Sequence, residues 1–235
     1  MQIIGLVLLV MVVLYGFTER AMTQVSAFDL HALVIVLGGC ATAIMTASSA
    51  TTSLRTLLCL RELLPFAGLL DKGTRRIEEA RQRFYALWRE GRRAQAVELA
   101  EASPDAPVRK MLQLVLSRGS EKATESVFLE MRHGELMRWQ PAISNWELLA
   151  RLGPSFGMVG TVTGMIQLFR SMGDENLNIG AAISLALVAT LYGIAFGAGV
   201  AGPIGHYLRG LLDERLGALS RCRQTAIELA EGERG

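Results

Sequence analysis

Cysteine is scarce in this 235-residue chain: Cys40, Cys59 and Cys222 stand in different segments and form no CxxC pair. That pattern argues against a metal site or a disulfide framework and for buried or lipid-facing thiols. Histidine is equally scarce. His31, His133 and His206 are scattered, and no His/Glu cluster or nucleophile–base pair marks an enzyme. No metal or cofactor is therefore expected. The net charge of +2 says little beside the positions of the charges, and no nucleic-acid partner is expected. The first seventeen residues lack a charged n-region and a small-residue cleavage site, so no secretory signal is expected. The most informative absence lies deeper. No Asp, Glu, Lys, Arg or His occurs between Leu152 and Phe169, or between Ile179 and Gly205.

What the chain has in place of these is apolar residues in blocks. They make up 51% of it, with a mean hydropathy of +0.32, gathered into runs of the length that crosses hydrocarbon, about 20 residues. Residues 3–17 form a short uncharged run, a membrane span or alternatively an uncleaved signal or interfacial anchor. Residues 28–50 read as a second span, with Asp29 and His31 at its start and Ser48, Ser49, Thr51 and Thr52 at its exit. A third begins near 147–152, and a fourth ends near Tyr207. The expected organisation is all-α, with four transmembrane helices. Residues 1–50 hold the first two, 51–148 form a cytoplasmic helical region without an independent soluble domain, 149–207 hold the last two, and 208–235 form a charged C-terminal helix.

The middle region carries most of the charge at helical period. Ile77, Phe84, Leu87, Trp88, Val97 and Leu99 are interleaved with Arg and Glu. Gly91 predicts an interruption, residues 103–107 (SPDAP) a turn, and Gly119 a stop before the helix from Glu121 to Trp146. Residues 51–151 hold seventeen of the 24 Lys and Arg and the tail from 206 holds five, whereas each short link between spans has one, Arg20 or Arg170. The positive-inside rule then places the large loop and both termini in the cytoplasm of a bacterial inner membrane.

Residues 153–203 organise the chain. Gly153, Gly157, Gly160 and Gly164 recur at spacings of four, three and four, and Gly193 and Gly197 repeat the pattern on the next helix beside Ala186 and Ala189. Such stripes let membrane helices approach closely. Thr161 and Thr163 on one helix, with Ser184 and Thr190 on the other, make a polar strip, although a membrane threonine often only bonds its own backbone. With no carboxylate in either stretch, an ion path here requires an acid from another polypeptide. Pro154 and Pro203 bracket the hairpin at its cytoplasmic side, as helix punctuation or as paired hinges.

Residues 154–164 (PSFGMVGTVTG), then 186–193 (ALVATLYG) and Pro203, resemble the MotA/TolQ/ExbB proton-channel family. The likeness is closest to its flagellar stator A-subunit branch, which shares the paired prolines, the TLYG stretch and four spans. The resemblance implies a homopentamer surrounding a dimer of a single-span MotB/TolR/ExbD-like partner. That partner's aspartate would face Thr161 and Thr190, with H+ or Na+ flow turning the pentamer and Pro154 and Pro203 as coupling hinges. It also implies loop charges that push a cytoplasmic rotor ring, with Arg109, Lys110, Arg118, Glu121 and Glu125 as candidates, or a solvated face instead. Two alternatives stay open at this point: envelope force transduction as in the TolQ and ExbB branch, and a membrane scaffold that conducts nothing.

Overall fold

The computed structural model describes residues 30–63, 69–117, 120–170, 172 and 179–232. The expected first span and Arg118 lie outside these residues. Among the described residues every element is helical. The first, α1, covers 30–47 and includes a π-wound turn, Val34–Gly38. Ser48 breaks it in an extended conformation, and Ser49 caps α2, Ala50–Leu58, by accepting from the Thr52 amide. A 3₁₀ turn, Cys59–Leu63, follows. Then come α3 (Leu69–Arg89), α4 (Arg93–Ala102), α5 (Ala106–Leu116), α6 (Glu121–Arg170) and α7 (Ile179–Ile194). A second π-wound turn, Ala195–Ala201, leads into α8, Gly202–Gly232.

The expected turns are there for chemical reasons. Gly91 adopts φ 76°, a left-handed conformation that side chains disfavour, and closes α3 against α4. Pro107 sits in the first turn of α5, where its missing N–H has no partner to lose.

The loop helix from Glu121 continues into the stretch where the third span is expected, as a long helical extension does. The helix α6 runs through 50 residues, with Pro141 and Pro154 inside it. Pro154 therefore does not start a helix. Pro203 falls just after the π-wound turn, in a helical run that continues into the tail. Widening that turn relieves the clash between a proline ring and the carbonyl four residues earlier. The C-terminal helix consequently begins before residue 208.

Two compact units result. One combines the described residues up to 63 with Pro141–Tyr207; the other combines 69–140 with 208–232. The unit boundaries fall near 64, 141 and 208. The second unit has its own core, built on Ile77, Phe84, Trp88, Met111, Phe128 and Cys222. Among the described residues, one helical run, Ala186–Gly232, contains an apolar stretch long enough to cross a membrane, and Val34–Ala47 is a shorter apolar helix. The uncharged part of α6 reads as less hydrophobic because Gly, Ser, Thr and Pro occupy so many of its positions.

Candidate functional site

The site forms where α6 meets α7. Glycines three and four residues apart fall on one helical stripe, and on both helices that stripe is the buried one. A methyl group at Gly153 would lie 2.6 Å from the Gly193 carbonyl oxygen, and one at Gly157 would lie 3.1 Å from that of Ala189. At Gly160 it would overlap the Ala189 side chain, and at Gly164 it would lie 3.0 Å from that of Ala186. Gly197 receives the Pro154 ring and the Ala150 carbonyl, at 2.6 and 2.7 Å from where its Cβ would stand. That carbonyl is the one Pro154 cannot satisfy, so Gly197 gives space to the very defect that the proline creates. Gly39 of α1 lies against the Phe156 ring, and Ala32 packs with Val188 and Ala189. Backbone and small side chains fill this seam. The large apolar side chains Met158, Val162, Ile166, Leu187, Leu191 and Ile194 point away and are exposed.

Within the seam stand Thr161 and Thr190. Their hydroxyls hydrogen-bond each other across the helix pair. Thr161 reaches the Gly157 carbonyl at 3.2 Å and the Ala186 carbonyl at 3.1 Å. Thr190 reaches the same two carbonyls at 3.4 and 3.5 Å. Four oxygens thus gather around two hydroxyl protons. Each hydroxyl has one proton and two lone pairs, so the group has more acceptors than donors and suits an incoming O–H or a small cation. Both threonines are half-buried rather than sealed. Thr163 differs: it bonds Val159 and Gly160 of its own helix and takes no part in the cross-helix group.

A second polar joint carries no signal obvious in the sequence. Ser48 donates to Asn145 Oδ1 at 2.7 Å, Asn145 Nδ2 donates to Thr56 Oγ1 at 2.8 Å, and the Trp146 indole donates to the Thr56 carbonyl at 3.0 Å. Asn145, Trp146 and Thr56 are all buried. This joint fixes the turn between α1 and α2 to α6 just before its uncharged stretch. Only the helical register of Asn145 beside the apolar Ile143 and Trp146 hinted at it.

The five loop charges go to different places. Arg109 donates to the Ser103 carbonyl at 2.7 Å and so braces the turn between α4 and α5. Glu125 pairs with Arg223 at 3.6 Å. Lys110 and Glu121 are exposed on separate helices, and Arg118 lies outside the described residues. The strongest charged cluster in this unit lies elsewhere: Glu78 meets Arg81 and Arg221, and Arg81 also donates to Thr225. The hydrogen bond from Arg81, helped by that from Arg221 against the cost of burial, holds the Glu78 carboxyl down at about 2. Burial pushes the Cys222 thiol up to about 12, so it is not a nucleophile at neutral pH. Among the described residues no group of three His, Cys, Asp or Glu is placed to hold a metal ion.

Described residues that are helical throughout their elements, with a glycine-packed, hydroxyl-lined helix pair, have the build of a membrane channel subunit. The sequence pattern of the MotA/TolQ/ExbB proton channel family matches residues 100–220, and the chain belongs to that family. It is 38% identical over 71 residues to Motility protein A of Aquifex aeolicus (strain VF5), covering 30% of this chain and 28% of that one. With Motility protein A of Cereibacter sphaeroides it shares 33% over 117 residues, covering 47% and 43%. The figures for Motility protein A of Treponema phagedenis are 33% over 125 residues, 49% and 46%. The matched part spans less than half the length of each of these relatives. Two solved structures share the fold. One is the flagellar MotAB stator complex from Bacillus subtilis, with TM-score 0.76 and 22% identity over 98% of this chain and 89% of that one. The other is C. jejuni MotAB, with TM-score 0.75, 18% identity and the same coverage.

Proposed function

We propose that this chain is the A-type, stator-like subunit of an ion-driven rotary motor, working with a single-span partner of the MotB type. Five copies would surround two partner chains in a bacterial inner membrane. Each copy would contribute four spans, and both of its termini would be cytoplasmic. One observation carries this reading: Thr161 and Thr190 form an acceptor-rich oxygen group in a seam that contains no carboxylate of its own. An ion carried past it needs a titratable or coordinating acid, and a partner's membrane aspartate would supply one.

The chemistry divides accordingly. The partner acid takes up the ion, and the hydroxyl pair offers a hydrogen-bond partner as that acid passes between its charged and neutral forms. The glycine seam lets α6 and α7 move as one body, and the prolines mark where backbone bonding is weakest. One charge crossing 100 mV releases roughly 2.3 kcal/mol, enough to drive a step between closely similar packings. H+ and Na+ both suit the oxygen group. Output measured after external Na+ is replaced by K+, at fixed proton-motive force, separates the two ions. The relatives named for motility favour a flagellar output over envelope force transduction. Purification of the full chain from its own membrane tests the assembly. The expected companion is a single-span chain with an aspartate in its span; a companion without an acidic residue there would contradict the proposal.

A further inference from the structure

In the charged unit, α6 and α8 enclose positive charge that little balances. Phe128 and Arg132 stand one turn apart on α6, while Leu219, Ser220 and Arg223 share one face of α8. All five line a single half-open pocket, and no Asp or Glu lines it. Arg132 makes no ion pair among the described residues, and Glu135, one turn further on, is already paired with Arg215 at 3.1 Å. Arg223 meets the Glu125 carboxylate at 3.6 Å, beyond hydrogen-bond reach. Its Nε is buried without a hydrogen-bond partner, and so is the hydroxyl of Thr124, one turn before Phe128. Buried donors without acceptors are rare in folded proteins and mark the place of a water or an ion. Two guanidinium groups that lack a close carboxylate favour a negative one.

We propose that this pocket binds a small tetrahedral oxyanion of the phosphate class, free or as the end group of a phosphomonoester. Arg132 and Arg223 hold it, and the Ser220 hydroxyl is a further donor. The planar fork of an arginine matches a pair of phosphate oxygens. Phe128 and Leu219 are buried beneath the charges, and an apolar floor strengthens an ion pair by keeping water from one side of it. The open side of the pocket lets an ester group extend into solvent. Occupied, the site clips α6 to α8 and stabilises the folded chain, since only the folded chain brings the two arginines together. The site does not depend on the motor reading.

Equilibrium dialysis of radiolabelled inorganic phosphate against the full chain in detergent, at constant ionic strength, tests this. The expected result is saturable binding with a dissociation constant of about 1 mM or below, displaced by sulfate and not by chloride. Arg132→Gln and Arg223→Gln should each weaken it about tenfold or more, while Lys110→Gln on α5 leaves it unchanged. Arg132 and Lys110 are exposed, so neither change threatens the fold, and the Tm of each variant without phosphate checks this. Saturating phosphate should raise the Tm of the parent protein and not that of Arg132→Gln. Displacement by glycerol 3-phosphate at a lower concentration than by unlabelled phosphate would assign the site to a phosphomonoester, and the reverse order would assign it to the free ion. Binding that does not saturate, that survives both arginine changes, or that falls equally in Lys110→Gln would overturn the proposal.

Discussion

The two units of this molecule hold together by opposite means. In the unit that contains α1, α7 and the later part of α6, the helices meet through Gly153, Gly157, Gly160, Gly193 and Gly197, and large apolar side chains face outward. In the other, Ile77, Phe84, Met111, Val108 and Val115 are fully or almost fully buried, and the outside carries Arg and Glu. The difference follows the solvent. Water drives large apolar side chains together at about 25 cal/mol per Å² of surface removed. Hydrocarbon offers no such drive, so helices associate there through close backbone approach and what polar contacts they can share. One unit is damaged by removing carbon, and the other by adding it.

Phe84→Ala should have the largest effect. It empties the centre of a core in which Phe84 stacks on Trp88 with ring centroids 5.4 Å apart, at a cost of about 3–5 kcal/mol. Limited proteolysis should show rapid cleavage within residues 65–140. Gly193→Ala is the opposite lesion. Its added methyl would strike the Gly153 carbonyl and lie 2.8 Å from the Gly157 Cα, costing about 1–3 kcal/mol and lowering the apparent Tm in detergent. Gly210→Ala, which meets no atom within 4 Å, should leave the Tm unchanged or slightly raised. An equal loss from both glycine variants would break the contrast between the units.

Glu78→Gln should have a smaller effect than Phe84→Ala or Gly193→Ala and sharpens the comparison by pH. Glu78 bonds Arg81 and Arg221, and its folded carboxyl titrates near 2 against an ordinary 4.5. A depressed carboxylate adds stability that is complete above its ordinary value and lost as the pH falls toward the folded one. The parent protein should therefore exceed Glu78→Gln by about 1 kcal/mol at neutral pH, a modest figure because the pair is partly exposed. That advantage should shrink between pH 4.5 and 2. A difference independent of pH would refute the assignment.

The sequence was most readable where one physical rule acts alone. Glycine spacing named the α6–α7 seam, and Gly91 and the residues around Pro104 and Pro107 named the turns. Reading failed where two rules compete. Proline favours a helix start, the place expected for Pro154, yet Pro154 lies inside α6, where the space left at Gly197 accommodates the carbonyl that it cannot bond. Periodicity described the loop helices one at a time, whereas their shared core joins residues near 77 to residues near 222, a pairing that no local pattern encodes. The Ser48–Asn145–Thr56 joint links positions about ninety residues apart, and it was invisible for the same reason.

The hydroxyl pair can be tested with one atom-scale change. Thr190→Val keeps the shape of the side chain and removes one hydroxyl, while Thr161 retains the Gly157 and Ala186 carbonyls as partners, so the seam should still close. Ion-driven output should then be measured in cells that assemble the variant with its partner to normal levels. The expected result is a loss of output of tenfold or more, corresponding to about 1.4 kcal/mol or more at the rate-limiting step, with assembly unchanged. Normal output from a normally assembled variant would contradict the assignment of Thr161 and Thr190 to the ion path.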